Sequence, residues 1–257
     1  MVQETQTNNL LVFDKQLNQV VSFDGRRQDD PALPQLPRQP HFSFEGDRIA
    51  WFGGKTCIYI VDLTDLSILH IDKLVDESQP LPEPIAVIAD FTRERILTCF
   101  LKGSTYLLSF YEKDRDTQIK ALQEVFPDFE TVDALDLDES KMFGFVCGSA
   151  VKQSTTSRSR KPRVRPTIAA FVFNGKMAVV AQTGLDYRRC SKIGCVAISK
   201  ERPGIVYVGT DGPLFVLGFD PDEQMLEVVD TIEFKNRSKS NSLRRELVSP
   251  SGCPIPN

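Results

Sequence analysis

The sequence predicts an all-β fold, a β-propeller of four-stranded antiparallel blades, and three observations carry that prediction. Apolar strands that end in an aromatic or aliphatic residue followed by Asp or Asn return at a regular step. A second apolar strand precedes each of the later ones, with a glycine-containing turn between the two. Further strands lie before and after this pair, so each period holds four short strands joined by tight turns, the pattern expected of a propeller blade.

The strand ends that set the period are Phe13-Asp14, Val61-Asp62, Phe110-Tyr111, Phe173-Asn174 and Phe219-Asp220, with Tyr111 standing where the others have an acid or amide. From Asp14 onward the steps between them are 48, 49, 63 and 46 residues. The long step contains the polar stretch 151–166, and removing about 15 residues of insertion restores the period. The preceding strands are expected at 48–52, 96–101, 142–147 and 205–208. The turns after them, Gly53-Gly54, Lys102-Gly103, Cys147-Gly148 and Asp211-Gly212, offer the positive φ that hairpin loops demand. First strands are expected at 41–44, 85–91, 132–137 and 194–199, and fourth strands at 67–71, 119–125, 177–182 and 226–232. Their nearly continuous apolar character fits sheets covered on both faces by neighbouring blades.

Four complete sets of strands run from 41 to 232, and a third and fourth strand precede them at 10–23, giving about 4.5 blades. The propeller is thus expected over 1–234, with blade breaks near 24–40, 73–83, 126–130 and 183–192 and a disordered basic insertion at 152–166. Residues 235–257, rich in Ser, Arg and Pro, read as a disordered tail that supplies no closing strands. An incomplete ring follows, to be completed by a partner or by a missing C-terminal part. Exposed sheet edges would make the isolated chain oligomeric or prone to aggregate.

Over residues 10–234 the period and strand order resemble the WD-repeat-like propellers. The resemblance stops short of their motifs. No Trp-Asp pair closes a strand, no Gly-His opens one, and the single tryptophan, Trp51, lies in a second strand. What the resemblance implies is a protein–protein interaction scaffold or adaptor, a subunit of a larger intracellular complex.

Composition narrows the classes further. Of the 257 residues 41% are hydrophobic, enough for a packed core, and the formal charge of −4 argues against a molecule that grips nucleic acid over its whole surface. Residues 1–9 lack the apolar stretch of a signal peptide, and no run approaches the about 18 apolar residues of a membrane-spanning helix. Six cysteines are scattered without the spacing of a disulfide framework, so a reducing compartment is expected, the cytoplasm or the nucleus.

Two basic segments are the candidate partner-binding sites. The insertion carries Lys152, Arg158, Arg160, Lys161, Arg163 and Arg165 with no acid, and Arg158, Arg160, Lys161, Arg163 and Arg165 are the residues expected to meet a partner. Ser157, Ser159, Ser242 and Ser249 are candidate phosphorylation sites, the first two beside arginines and Ser242 close to Arg244 and Arg245. Nucleic acid is the alternative partner for the basic loop and tail, although the loop has no aromatic residue on which bases could stack. The prolines at 31, 34, 37 and 40 keep a three-residue spacing and read as a stiff connector or a polyproline ligand.

Chemistry is otherwise sparse. The acidic stretch 124–139 lacks the glycine and terminal glutamate of a calcium loop. His41 and His70 stand at no metal-ligand spacing to a cysteine pair, and Cys190 with Cys195 lacks two partners for zinc. Neither a Gly-x-Ser-x-Gly elbow nor a phosphate-binding glycine loop occurs. The inner strands are expected to present His41, Asp90, Asp136 and Ser199 to the central channel, a thin set for catalysis. The expectation is a non-enzymatic protein without cofactor or metal. A propeller enzyme or sugar-binding protein is the rival reading.

Overall fold

Alternating and continuous apolar runs become strands wherever the sequence breaks them with short polar turns. The computed structural model describes residues 2–4, 9–13, 19–23, 41–43, 46–52, 57–65, 67–71, 74–75, 82–152, 163–185 and 190–233. Four four-stranded antiparallel sheets form a four-bladed β-propeller. The first blade is β4 (His41–Phe42), β5 (Arg48–Phe52), β6 (Ile58–Asp62) and β7 (Ile68–Ile71), after a three-stranded sheet of β1 (Val2–Glu4), β2 (Asn9–Phe13) and β3 (Gln19–Phe23). The second is β8 (Glu83–Asp90), β9 (Arg95–Lys102), β10 (Thr105–Glu112) and β11 (Gln118–Ala121). The third is β12 (Ala134–Asp138), β13 (Phe143–Lys152), β14 (Arg163–Val172) and β15 (Val179–Gly184). The fourth is β16 (Ile193–Ile198), β17 (Ile205–Thr210), β18 (Leu214–Asp220) and β19 (Met225–Ile232).

Each blade is a simple meander, so the first and third strands run one way and the second and fourth the other. One face of the propeller therefore carries the first–second and third–fourth turns. The opposite face carries the second–third hairpins and the links between blades. The turns on the first face are set by side-chain acceptors. Ser43 Oγ accepts from the amides of Gly46, Asp47 and Arg48, and Asp90 and Asp138 each take two amides of the following turn. At the third–fourth turns Asn174 and Asp220 each take two amides, and Asp62 takes the amide and the hydroxyl of Thr64. The recurring Asp or Asn of the sequence thus has a mechanical cause: its oxygen closes an Asx turn at the end of a strand.

The core lies between blades. Ala50, Ile58, Leu74 and Val75 of the first blade and its link pack on Ala89, Ile96 and Phe100 of the second. Leu97, Leu108 and Phe110 of the second meet Val146, Phe171 and Phe173 of the third, with Phe126 and Phe129 of the link wedged among them. Phe145, Ile168 and Ala170 meet Val206, Val208, Phe215 and Leu217 of the fourth. A strand such as β9 is buried on both faces, which explains its unbroken apolar sequence. In β18 only alternate residues are buried, since one face of the fourth blade has no blade laid over it among the described residues.

Two local expectations differ from the structure. The segment 119–125 is a strand only as far as Ala121; Leu122–Val125 forms one helical turn that buries Leu122 and swings the chain into the link. Gly148 lies inside β13, paired with Thr167, rather than in a hairpin turn. It does not have the positive φ that Gly103 shows at 62°.

Candidate functional site

The basic segment 152–166 is less of a loop than its composition suggests. β13 and β14 continue pairing through Ser149↔Pro166, Ala150↔Arg165, Val151↔Val164 and Lys152↔Arg163. Arg163 and Arg165 therefore sit in a strand, and the expectation that the whole of 152–166 leaves the sheet is corrected. The register explains it: Val151 and Val164 oppose each other, and a β-branched pair favours a ladder. The link alongside holds the same ribbon, with Val151 N–H donating to Asp128 O and the amides of Glu130 and Thr131 donating to Ser149 O. Arg158, Arg160, Lys161, Ser157 and Ser159 lie outside the described residues, as do Ser242, Ser249, the prolines at 31–40 and Cys253. The ends of β13 and β19 point to the same face of the propeller, so the insertion and the tail both depart from the face that carries the hairpins and links.

A second cluster lies at the axis, toward the face that carries the turns. His41 of the first blade reaches across to the third, its Nδ1 3.6 Å from Asp136 Oδ1 and its Nε2 3.9 Å from Glu139 Oε1. The ring is 8% exposed and lies parallel to Phe91 of the second blade at 6.1 Å between centroids. Asp136 is held in place by two amides, accepting from Leu137 N–H at 2.9 Å on Oδ1 and from Ile198 N–H of the fourth blade at 2.8 Å on Oδ2. Burial pushes its carboxyl above the usual carboxylate range, while His41, these amides and Lys200 pull it back. Lys200 Nζ donates to Ser43 O at 3.3 Å, so the fourth blade also reaches the first. A depression of about 160 Å³ opens over this cluster, lined by His41, Asp136, Asp138, Glu139, Ser199 and Lys200 among others.

Of the four residues expected at the channel, the structure brings together His41, Asp136 and Ser199. Asp90 is buried instead against its own turn and Arg93. Glu139 was legible only as a turn residue, because no local signal shows that the turn after β12 folds over the axis. Among the described residues no group of His, Cys, Asp and Glu is arranged to hold a metal ion. Five cysteines, at 57, 99, 147, 190 and 195, are free thiols, and burial pushes the Cys147 thiol well up. No described helix is long and apolar enough to cross a membrane.

No family model matches the chain, and no curated protein matches it. Solved structures do resemble it. The β-propeller domain of Myceliophteria thermophila Cps50 (Swd1) aligns with a TM-score of 0.57 at 8% identity, over 90% of this chain and 67% of that one. KlAtg21, in its complex with the coiled coil of AgAtg16, aligns with a TM-score of 0.54 at 11% identity, over 89% and 66%. The periplasmic gluconolactonase PpgL of Pseudomonas aeruginosa aligns with a TM-score of 0.53 at 13% identity, over 95% and 68%. At these identities the likeness shows the fold alone. A functionally unknown protein of Desulfotomaculum acetoxidans aligns with a TM-score of 0.53 at 12% identity and is covered over 63% of its length, so the chain spans a little under two thirds of that protein.

Proposed function

We propose that this chain is a non-enzymatic interaction scaffold that engages a protein partner through the face bearing the β13–β14 ribbon. The observation that carries the reading is the ribbon itself. Its ladder runs to Lys152↔Arg163, well past the last pair between β12 and β13 at Ala134↔Cys147. The basic segment 153–162 is thereby joined at both ends to a paired ribbon that the link 128–131 flanks, and a segment carried on a rigid scaffold is a common way to present a contact surface. Resemblance to KlAtg21, which is seen in complex with the coiled coil of AgAtg16, fits a protein partner. PpgL shares the fold equally well, so the fold gives the scaffold reading no privilege over an enzyme.

The test is a comparison of the full chain with a variant lacking 153–162 in affinity capture with mass spectrometry. In that variant an Asn-Gly turn stands in place of 153–162, because Lys152 and Arg163 are directly opposed and a hairpin needs about two residues to join them; with the pair kept, the melting temperature is expected to stay within about 2 °C. A specific protein retained by the full chain and lost by the deletion variant supports the reading; a partner set unchanged by the deletion overturns it. The departure of both basic segments from one face favours nucleic acid as the second reading. That reading requires salt-sensitive binding of an oligonucleotide that the deletion weakens.

A further inference from the structure

We infer that the edge of β14 at Val164 receives an extended acidic segment of a partner protein, which pairs with it as an added antiparallel strand. The inference rests on the scaffold reading above and names the partner's chemistry.

Hydrogen-bond directions along the ribbon locate the edge. Val151 N–H donates to Asp128 O, and Ser149 O accepts from the amides of Glu130 and Thr131. At both residues the backbone of β13 thus turns toward the link and away from β14. The pairs Val151↔Val164 and Ser149↔Pro166 are therefore the non-hydrogen-bonded pairs of the ladder, and the backbone groups of Val164 and Pro166 point away from β13. At Pro166 the outward carbonyl accepts from Leu185 N–H, just past the end of β15. The pairing of β14 with β15 goes no further than Thr167↔Gly184. Two residues along the same edge, the N–H and C=O of Val164 have no strand beside them among the described residues. Such a pair of groups holds one residue of an added strand through two main-chain hydrogen bonds.

The side chains around this edge define what the added strand carries. Val164 is half-exposed and shares its side of the ribbon with Val151, so it offers an apolar contact to the residue opposite. Arg163 and Arg165 stand on the other side, where the register also sets Lys152 opposite Arg163. Arg165 leans toward the line of β15. A Cβ on Gly184 would overlap its guanidinium carbon, so the glycine there seats the charge beside the place of the incoming strand. Strand alternation then dictates the sequence of the partner. The residue facing Val164 is apolar, and the residues before and after it face Arg163 and Arg165 and are acidic. Nucleic acid supplies negative charge through its phosphates but no peptide N–H and C=O to match those of Val164, which favours a protein segment.

The experiment is a titration of the ¹⁵N-labelled full chain followed through the amide of Val164. The probes are acetyl-Ser-Glu-Ile-Glu-Ser-amide, the same peptide N-methylated at its isoleucine, which keeps the charge and loses the central N–H, and acetyl-Ser-Lys-Ile-Lys-Ser-amide, which reverses the charge. A saturable shift with the first is expected, and binding about tenfold weaker or less with each of the others. Equal binding of the N-methylated peptide overturns the added strand, equal binding of the lysine peptide overturns the acidic partner, and no saturable shift with any peptide overturns both. A single-stranded octathymidylate that shifts Val164 as strongly as the glutamate peptide also overturns the inference. Arg163→Glu is expected to reverse the preference between the glutamate and lysine peptides, and the comparison on the unaltered chain stands even if that variant folds poorly. The two readings fail separately. A captured protein lost with 153–162, beside peptides that do not bind, removes the added strand and leaves the scaffold. Peptides that bind as expected, beside a partner set unchanged by loss of 153–162, support the edge and overturn only the earlier reading.

Discussion

At the scale of single residues, the glycines divide by cause. Gly103 sits at φ 62° in the β9–β10 turn, where a β-branched side chain is strained by its own backbone. Gly148 is extended in β13, but a Cβ there would lie 1.9 Å from Thr131 O, a backbone atom of the link. The link presses on the ribbon, and only the absence of a side chain allows it. Gly148→Val is therefore expected to cost more than Gly103→Val, on the order of 3 kcal/mol against about 1–2 kcal/mol. Urea denaturation of the two variants checks the order, and a milder effect at Gly148 would contradict the close approach. Asp136 gives a second prediction, this one in pH. Because burial raises its native pKa above the ordinary 3.8, the folded chain holds that proton more tightly than the unfolded chain. This contribution to stability is fully present below the ordinary value and is lost as pH rises through the raised one. Asp136→Asn abolishes that slope. Its Nδ2 would also oppose an amide at one of the two sites, a constant cost independent of pH. The expected result of thermal melts across acid pH is thus a variant that starts weaker than the parent and loses less on the way to neutrality.

At the scale of elements, the sequence was legible where the strand grammar is local. The strand pairs, the repeating Asp or Asn at Asp62, Asn174 and Asp220 and the inner positions of His41 and Asp136 follow from period and turn chemistry, and the structure accounts for each. Two features escaped because their causes are not local. The strand end at Ala121 depends on Phe126 and Phe129 filling the space between two blades, and a window centred on residues 119–125 contains neither. The ladder through Lys152↔Arg163 joins stretches whose polar, basic composition reads as disorder when each is taken alone. Glu139 escaped for a third reason: its role depends on a partner in another blade, far along the chain. The basic tip and the serines beside it remain expectations from sequence.

At the scale of the whole molecule, the blades are coupled by more than their shared faces. Neighbouring sheets pack pairwise, as in any repeat array, yet the axis adds links between the first and third blades at His41–Asp136 and between the first and fourth at Lys200–Ser43. Such links make the array behave as one unit. Trp51, the single tryptophan, lies in β5 of the first blade. Its fluorescence transition in urea is expected to coincide with the loss of β signal in circular dichroism. A tryptophan transition at clearly lower denaturant would show that the first blade melts by itself.

The Lys200–Ser43 contact joins residues 157 positions apart, and this separation has a consequence for synthesis. A chain leaving the ribosome exposes β4 long before its axial neighbours exist. The second blade can cover one face of the first as soon as it emerges, but the central end of β4 gains Asp136 only with the third blade and Lys200 only with the fourth. The buried histidine is thus among the first residues of the described ring to be made and among the last to be housed. Until then the nascent chain carries an unfinished inner strand, and the time needed to translate the intervening blades sets how long that strand is open to chaperones or to mispairing.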